Sequence, residues 1–227
     1  MRTPQPRFYF AFRSPYAWMT ARLLEARFPA AHEQLEYVPF WEPDARTLEL
    51  LRARDGDVIY TAMSKAKHLY ILQDVKRLAA KLGYAMRWPV DINPWWDLPH
   101  LAYLRARRLG KGPAFFWATY RARWERGEEI YKQETVERIA LEVGLRPPAV
   151  LAAPEDPEIR AEGAEALLHA HQDGVFGVPF FSMGFEKFWG LDRFEDFAAR
   201  FAPLYGVPAP VLSAVGAYDM DCAGGCG

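Results

Sequence analysis

The 227-residue chain has two cysteines, Cys222 and Cys226, and both fall in its last six residues. The body of the protein therefore has no disulfide framework and no cysteine nucleophile. An excess of basic charge is also missing. The formal net charge of −1 leaves little to drive counterion release from nucleic acid, so a small-molecule partner is the better expectation. Long apolar runs are absent: Phe8–Phe12 is the longest near the start, too short for the core of a signal peptide, and no stretch reaches membrane-spanning length. These absences imply a cytoplasmic protein that binds neither membrane nor nucleic acid. The five histidines make no metal site by spacing. His169 and His171 are two apart and fall on different helix faces, while His32, His68 and His100 are scattered.

Apolar and aromatic residues are abundant: 51% of the chain is hydrophobic and 15% aromatic, with eight Trp, eleven Tyr and fifteen Phe. That is enough for one large core, in one composite domain or two closely packed ones. Rings facing a cleft would line an aromatic pocket.

Along the chain, Arg7–Phe12 reads as a short buried strand that breaks at Arg13, Ser14 and Pro15. Ser14 suits an N-cap and Pro15 the first helical position, and Ala17, Ala21, Leu24 and Phe28 recur at helical spacing. Leu35–Pro39 suggests a second strand. From Glu42 to Gly174 the pattern is helical, with its clearest helix over about Lys67–Leu82, where Ile71, Val75, Leu78 and Leu82 share a stripe. Trp117, Tyr120 and Trp124 mark another helix, and Val136, Ile139, Ala140 and Val143 a third. After Gly174, Val178–Met183 and Glu186–Trp189 read as a hairpin about Gly184, and Asp192 begins an amphipathic helix carrying Phe194, Phe197, Phe201 and Leu204 on one face.

The expected fold is α/β, a βαβ unit and a ββα unit separated by a large α-helical insertion. The expected division is 1–42 with 175–207, an insertion of 43–174, and an extended tail of 208–227. In that tail the Cys222 and Cys226 pair, spaced Cys-x3-Cys among glycines, could close a small disulfide, bind a soft metal with outside ligands, fold back toward Ser14, or be inert.

That layout is the thioredoxin fold interrupted by a helical domain, as in thiol-disulfide oxidoreductases of the DsbA type. Three segments sharpen the resemblance: Phe10–Tyr16 (FAFRSPY), Asp173–Phe181 (DGVFGVPFF) and Phe188–Arg193 (FWGLDR). Together they resemble the 2-hydroxychromene-2-carboxylate isomerases and the related kappa-class glutathione transferases. Lys67–Asp74 (KHLYILQD) resembles that family's lysine-containing helix start, and the similarity spans roughly residues 7 to 205.

Where redox relatives carry Cys-x-x-Cys, this chain has Ser14, Pro15, Tyr16 and Ala17. With both sulfurs gone, dithiol exchange at this position is impossible. A serine at a helix start can still donate a hydrogen bond to a bound thiolate, and the unpaired amides of the first turn add positive potential. Lowering a thiol pKa by about two units needs about 2.7 kcal/mol. A hydrogen bond to a charged group supplies roughly 1.5–3 kcal/mol and a partly buried helix end up to about 2 kcal/mol, so two modest effects suffice. The plainer alternative is that Ser14 only caps its helix.

The resemblance implies a cofactor, glutathione or another low-molecular-weight thiol, and assigns residues to it. Val178 and a cis-Pro179 would pair through the main chain with the cysteinyl part, the alternative being an ordinary strand-edge proline. Asp192, with Arg193 at the opening of the last helix, would face the γ-glutamyl ammonium. Lys67 would hold the glycyl carboxylate, or be simply a solvated lysine. Two positions depart from the pattern. Leu191 stands where relatives have a small or polar residue, and Arg54–Asp57 offers no counterpart to a family asparagine. The implied activity is isomerisation of an unsaturated aromatic substrate, with Trp41, Trp95 and Trp96 as candidate stacking surfaces and a homodimer as the assembly. Three other readings stay open: a glutathione transferase, a noncatalytic binding module, and a redox protein using the tail cysteines.

Overall fold

The computed structural model describes residues 5–59 and 63–206. Cys222 and Cys226 lie outside them, as does the tail after Gly206. Four strands form one sheet in the order β2-β1-β3-β4: β1 (Arg7–Phe10), β2 (Glu36–Pro39), β3 (Phe180–Met183) and β4 (Glu186–Trp189). β1 runs parallel to β2 and antiparallel to β3, and β3 pairs antiparallel with β4. A parallel pair needs a crossover. Helix α1 (Pro15–Arg27) provides it, starting at Ser14 and Pro15 as the sequence predicts.

Register explains why the strands can be so short. Phe8 lies opposite both Tyr37 and Phe181, and Phe181 opposite Phe188. These aromatics share a face because side chains alternate along a strand. Phe8 stacks on Phe181 at 4.8 Å between ring centroids, and Phe181 stacks on Phe197 of the last helix, α9 (Phe194–Tyr205), at 3.8 Å. Burial of a large ring contributes roughly 1.5–3 kcal/mol, so this column makes up for few ladder hydrogen bonds.

Between β2 and β3 the described chain is helical: α2 (Ala45–Arg52), α3 (Lys65–Lys81), α4 (Asp97–Arg108), α5 (Gly112–Tyr120), α6 (Gln133–Glu142), α7 (Pro147–Leu151) and α8 (Pro157–Gln172). Side-chain caps start several of them. Asp44 accepts from the Thr47 amide at 2.9 Å, Ser64 from Lys67, and Asp156 from Glu158 and Ile159. The Arg160 guanidinium, nearly fully buried, joins α8 to Asp44 at 2.7 Å, and Asp97 of α4 accepts from Thr47 Oγ1 of α2 at 2.7 Å. The core is continuous across insertion and sheet, with Phe10 of β1 meeting Tyr103, Phe116 and Tyr120 edge to face.

Two local expectations change. The helix marked by Trp117, Tyr120 and Trp124 ends as α-helix at Tyr120 and continues as a π-helical turn, Arg121–Glu125. Arg123 and Trp124 are both buried there, with Arg123 bonded through both terminal nitrogens to Asp91 at 3.0 and 2.7 Å. Asp192 does not begin the last helix as its N-cap. It sits in a 3₁₀ turn, Leu191–Arg193, ahead of α9, and its carboxylate pairs with the neighbouring Arg193 guanidinium at 3.1 Å.

Candidate thiolate site

The site begins where β1 ends. Ala11–Arg13 form a tight turn closed by the Ser14 amide donating to the Ala11 carbonyl at 3.0 Å. Ser14 then has extended backbone angles and caps α1, its Oγ accepting from the Ala17 amide at 3.1 Å. Pro15 has no N–H to offer. The Tyr16 amide is thus the remaining donor of the first residues after the cap.

The Ser14 hydroxyl keeps a proton of its own to give, and it donates this to the Val178 carbonyl at 3.3 Å. Val178–Pro179 is a cis peptide, as the resemblance implies. The structure therefore brings Ser14 together with Val178, 164 positions further along the chain, and its neighbour Pro179. A second bond ties this loop to the end of β4, from the Gly190 amide to the Pro179 carbonyl at 2.9 Å. Gly190 has a φ of 97°, a conformation that favours glycine, and it turns the chain into the Leu191–Arg193 segment that packs against α1.

The loop is anchored at its other end as well. The Tyr9 hydroxyl donates to the Asp173 carboxylate at 2.6 Å and Arg7 pairs with the same oxygen at 3.3 Å. Gly177 lies so close beneath Trp189 that a Cβ there would sit 2.9 Å from the indole nitrogen. The Trp189 ring in turn meets Phe176 at 4.8 Å.

Asp192 and Arg193 are exposed beside α1, paired with each other. Lys67 is half-buried in the first turn of α3. That helix rests on α1, where the Tyr16 hydroxyl donates to Asp74 at 2.7 Å. Burial and this bond together hold the Tyr16 phenol well above its ordinary pKa, so it stays a neutral donor. Lys67 precedes Asp74 by two helical turns on the same face, about 10 Å along the axis. The structure thus joins Ser14, Val178 and Pro179 directly, and sets Asp192, Arg193 and Lys67 on segments flanking α1.

Sequence reasoning missed what holds the turn before Ser14. The Phe12 amide donates to His100 Nε2 at 3.2 Å, Trp124 Nε1 donates to the Phe12 carbonyl at 2.9 Å, and the Tyr120 hydroxyl to the Ala11 carbonyl at 3.2 Å. All three side chains come from the helical insertion, and nothing local in the sequence marks them. Two of the proposed stacking surfaces are also corrected. Trp41 and Trp96 are buried, Trp41 against the His100 ring and Trp96 against Arg123 and Tyr131, so neither lines an open cleft. Trp95 is partly exposed, with its indole nitrogen donating to Asp44, and Trp88, not singled out from sequence, is exposed to a similar degree.

A surface groove of about 520 Å³ lies elsewhere, between β2, α4 and α8, and does not include Ser14. Its Arg107 and Arg108 are already paired with Glu162 and Glu158. Among the described residues no group of three or more His, Cys, Asp or Glu could hold a metal ion, and no helix is long and apolar enough to cross a membrane.

Comparison with known proteins agrees with this fold. The chain is 28% identical over 190 residues to 2-hydroxychromene-2-carboxylate isomerase of Sphingobium xenophagum, covering 83% of this chain and 93% of that protein. Its fold is similar to the solved structure of a 2-hydroxychromene-2-carboxylate isomerase, with a TM-score of 0.68 at 20% identity over 88% of this chain and 95% of the other. A probable DsbA oxidoreductase from Streptomyces coelicolor is similar too, with a TM-score of 0.65 at 20% identity over 93% and 94% of the two chains. The model of the DsbA-like thioredoxin domain matches residues 7–202, and the chain belongs to that family.

Proposed function

We propose that the protein is a glutathione-dependent isomerase of the 2-hydroxychromene-2-carboxylate isomerase type, working as a cytoplasmic homodimer on an unsaturated aromatic substrate. The observation that carries this reading is the Ser14 hydroxyl, which stands at the start of α1 and within 3.3 Å of the carbonyl beside the cis-proline. The relative at 28% identity is named a 2-hydroxychromene-2-carboxylate isomerase, and the match covers most of both chains.

The residues present fit a small thiol. Ser14 is half-buried, so its hydroxyl is reachable, and its bond to Val178 is long enough to be exchanged for a better acceptor. A thiolate is such an acceptor, because hydrogen bonds to charged groups are the stronger ones. Ser14, Val178 and Pro179 would hold glutathione there, and the chemistry it would supply is a nucleophilic sulfur for reversible addition to a conjugated carbon.

The chain's own residues do the rest. Ser14 Oγ and the Tyr16 amide stabilise negative charge at the helix start, and Val178 offers its main chain for strand-like pairing with a peptide. Asp192 attracts an ammonium group and Lys67 a carboxylate, which together orient a tripeptide of glutathione's charge pattern. No thiol of the chain stands at Ser14–Ala17, and on this reading a diffusible thiol supplies the sulfur.

The test is ultraviolet titration of glutathione near 240 nm with and without protein, paired with product analysis. Thiolate forming at a pH about two units lower with protein, and substrate isomerised at constant total free glutathione, is the expected result. Free glutathione that falls with turnover would instead identify a transferase. No binding and no altered ionisation would leave a binding module or a protein that works through its tail cysteines.

A further inference from the structure

The three bonds onto the Ala11–Phe12 turn differ in kind. Tyr120 and Trp124 donate to carbonyls, whereas His100 alone of the three accepts, and it takes the Phe12 amide. We infer that His100 is a positioning residue for the thiolate site, holding through Nε2 the Phe12 amide and with it the turn that aims Ser14. This rests on the function proposed above only for its link to catalysis. The positioning itself follows from geometry.

His100 lies in the first turn of α4 with no exposed surface. Its Nδ1 is 2.7 Å from the Trp96 carbonyl, which can only accept, so the ring proton sits on Nδ1 and the Nε2 lone pair faces the Phe12 N–H. The ring is clamped, with Trp41 stacked at 5.1 Å and 4° on it and Phe12 at 5.1 Å and 33°. An imidazolium would aim N–H at N–H. Burial opposes that form and brings the His100 pKa down to about 3. The cations Arg13, on the turn itself, and Arg123, on the π-helical turn, push the same way, against the Trp96 carbonyl, which favours the charged ring.

Phe12 and Ser14 are two residues apart, and the Ser14 amide already closes onto Ala11. Freeing the Phe12 amide would leave a buried donor unpaired, and the turn would rearrange to find water or another acceptor. Ser14 Oγ and the start of α1 would move with it. Displacements well below 1 Å matter at such sites, because both hydrogen-bond and helix-end effects fall off steeply with distance and angle.

The experiment uses a thiol carried by the chain, so that it does not depend on glutathione. In a Cys222→Ala, Cys226→Ala background, Ser14→Cys places a reporter thiol at the helix start, and the pH dependence of its alkylation by iodoacetamide gives its pKa. Adding His100→Phe, which keeps a ring but no acceptor, is expected to raise that pKa by about one unit, a tenfold loss of thiolate below both values. His100→Gln, which offers an oxygen to Phe12 and an N–H to Trp96, is expected to restore most of it. A folded His100→Phe protein with an unshifted reporter overturns the proposal. A second measurement needs no substitution: imidazole ¹⁵N shifts should show a neutral Nδ1–H ring from pH 8 to 5. A ring protonated on Nε2, or titrating near the ordinary value of about 6.5, overturns the proposal even if His100→Phe does not fold. A reporter that shifts as expected, in a protein that leaves glutathione un-ionised, keeps the positioning role and discards the proposed function.

Discussion

Around Ser14 the chain is held from inside, by the buried side chains of His100, Tyr120 and Trp124. Around Asp192, Arg193 and Lys67 it is held by a surface ion pair and a helix cap. The difference is energetic as well as visual. Leaving a buried hydrogen-bonding group unpaired costs about 1–3 kcal/mol, while an exposed ion pair contributes about 0–1 kcal/mol. The end of the site that would meet sulfur is therefore built into the core. The end that would read the rest of a thiol cofactor lies on the surface at Asp192 and Arg193, where a substitution is expected to cost the fold little.

The strongest way to break this contrast is Ser14→Ala. Removing the donor is expected to cut turnover about ten- to a hundredfold, the worth of a hydrogen bond to a charged group, while stability falls by only about 1 kcal/mol from the lost cap. Steady-state kinetics with urea unfolding checks both, and an unchanged rate would remove Ser14 from the mechanism. Next in size, Trp124→Phe leaves the Phe12 carbonyl without its indole partner and is expected to cost about 1–3 kcal/mol in urea unfolding, with a several-fold loss of turnover.

Acid sharpens the same point. In the unfolded chain His100 takes up a proton as pH falls below about 6.5, whereas burial keeps the folded ring neutral down to about 3. Between those values the unfolded state binds more protons, so this contribution to stability is complete above about 6.5. It is lost on acidification by up to about 1.4 kcal/mol per pH unit. Unfolding at pH 7, 6 and 5 should show that slope in the parent and a shallower one in His100→Phe. The smallest effect is expected at the surface end. Asp192→Asn should raise the KM for glutathione about fivefold or less, more at low than at high salt, with unfolding shifted by under about 0.5 kcal/mol. A loss of turnover as large as that of Ser14→Ala would erase the distinction between the two ends.

The parts of the fold that local sequence pattern can carry were legible. Ser14 followed by Pro15 marks the start of α1, and the turn at Gly184 marks the hairpin of β3 and β4. Val178 before Pro179 marks the cis peptide only by resemblance to relatives. What was not legible depends on contacts between distant segments. His100 meets Phe12 across 88 positions and Trp124 across 112, and neither separation leaves a periodicity to read. The π-helical turn at Arg121–Glu125 accommodates Arg123 among tryptophans, a demand set by Asp91, Trp96 and Trp124 together. The pattern starts the last helix at Asp192, yet Gly190 turns the chain so that one 3₁₀ turn comes first. Trp41 and Trp96 carry no mark that separates a core ring from a cleft ring.

The reach of His100, Tyr120 and Trp124 back to the first strand also fixes an order of events during synthesis. A ribosome that has released only β1, α1 and β2 has made every residue of the FAFRSPY segment. None of the three clasps on its turn yet exists, since even the first of them, His100, arrives 88 residues after Phe12. On the proposed function, the emerging amino-terminal portion is expected to activate a thiol only once the helical domain closes over it.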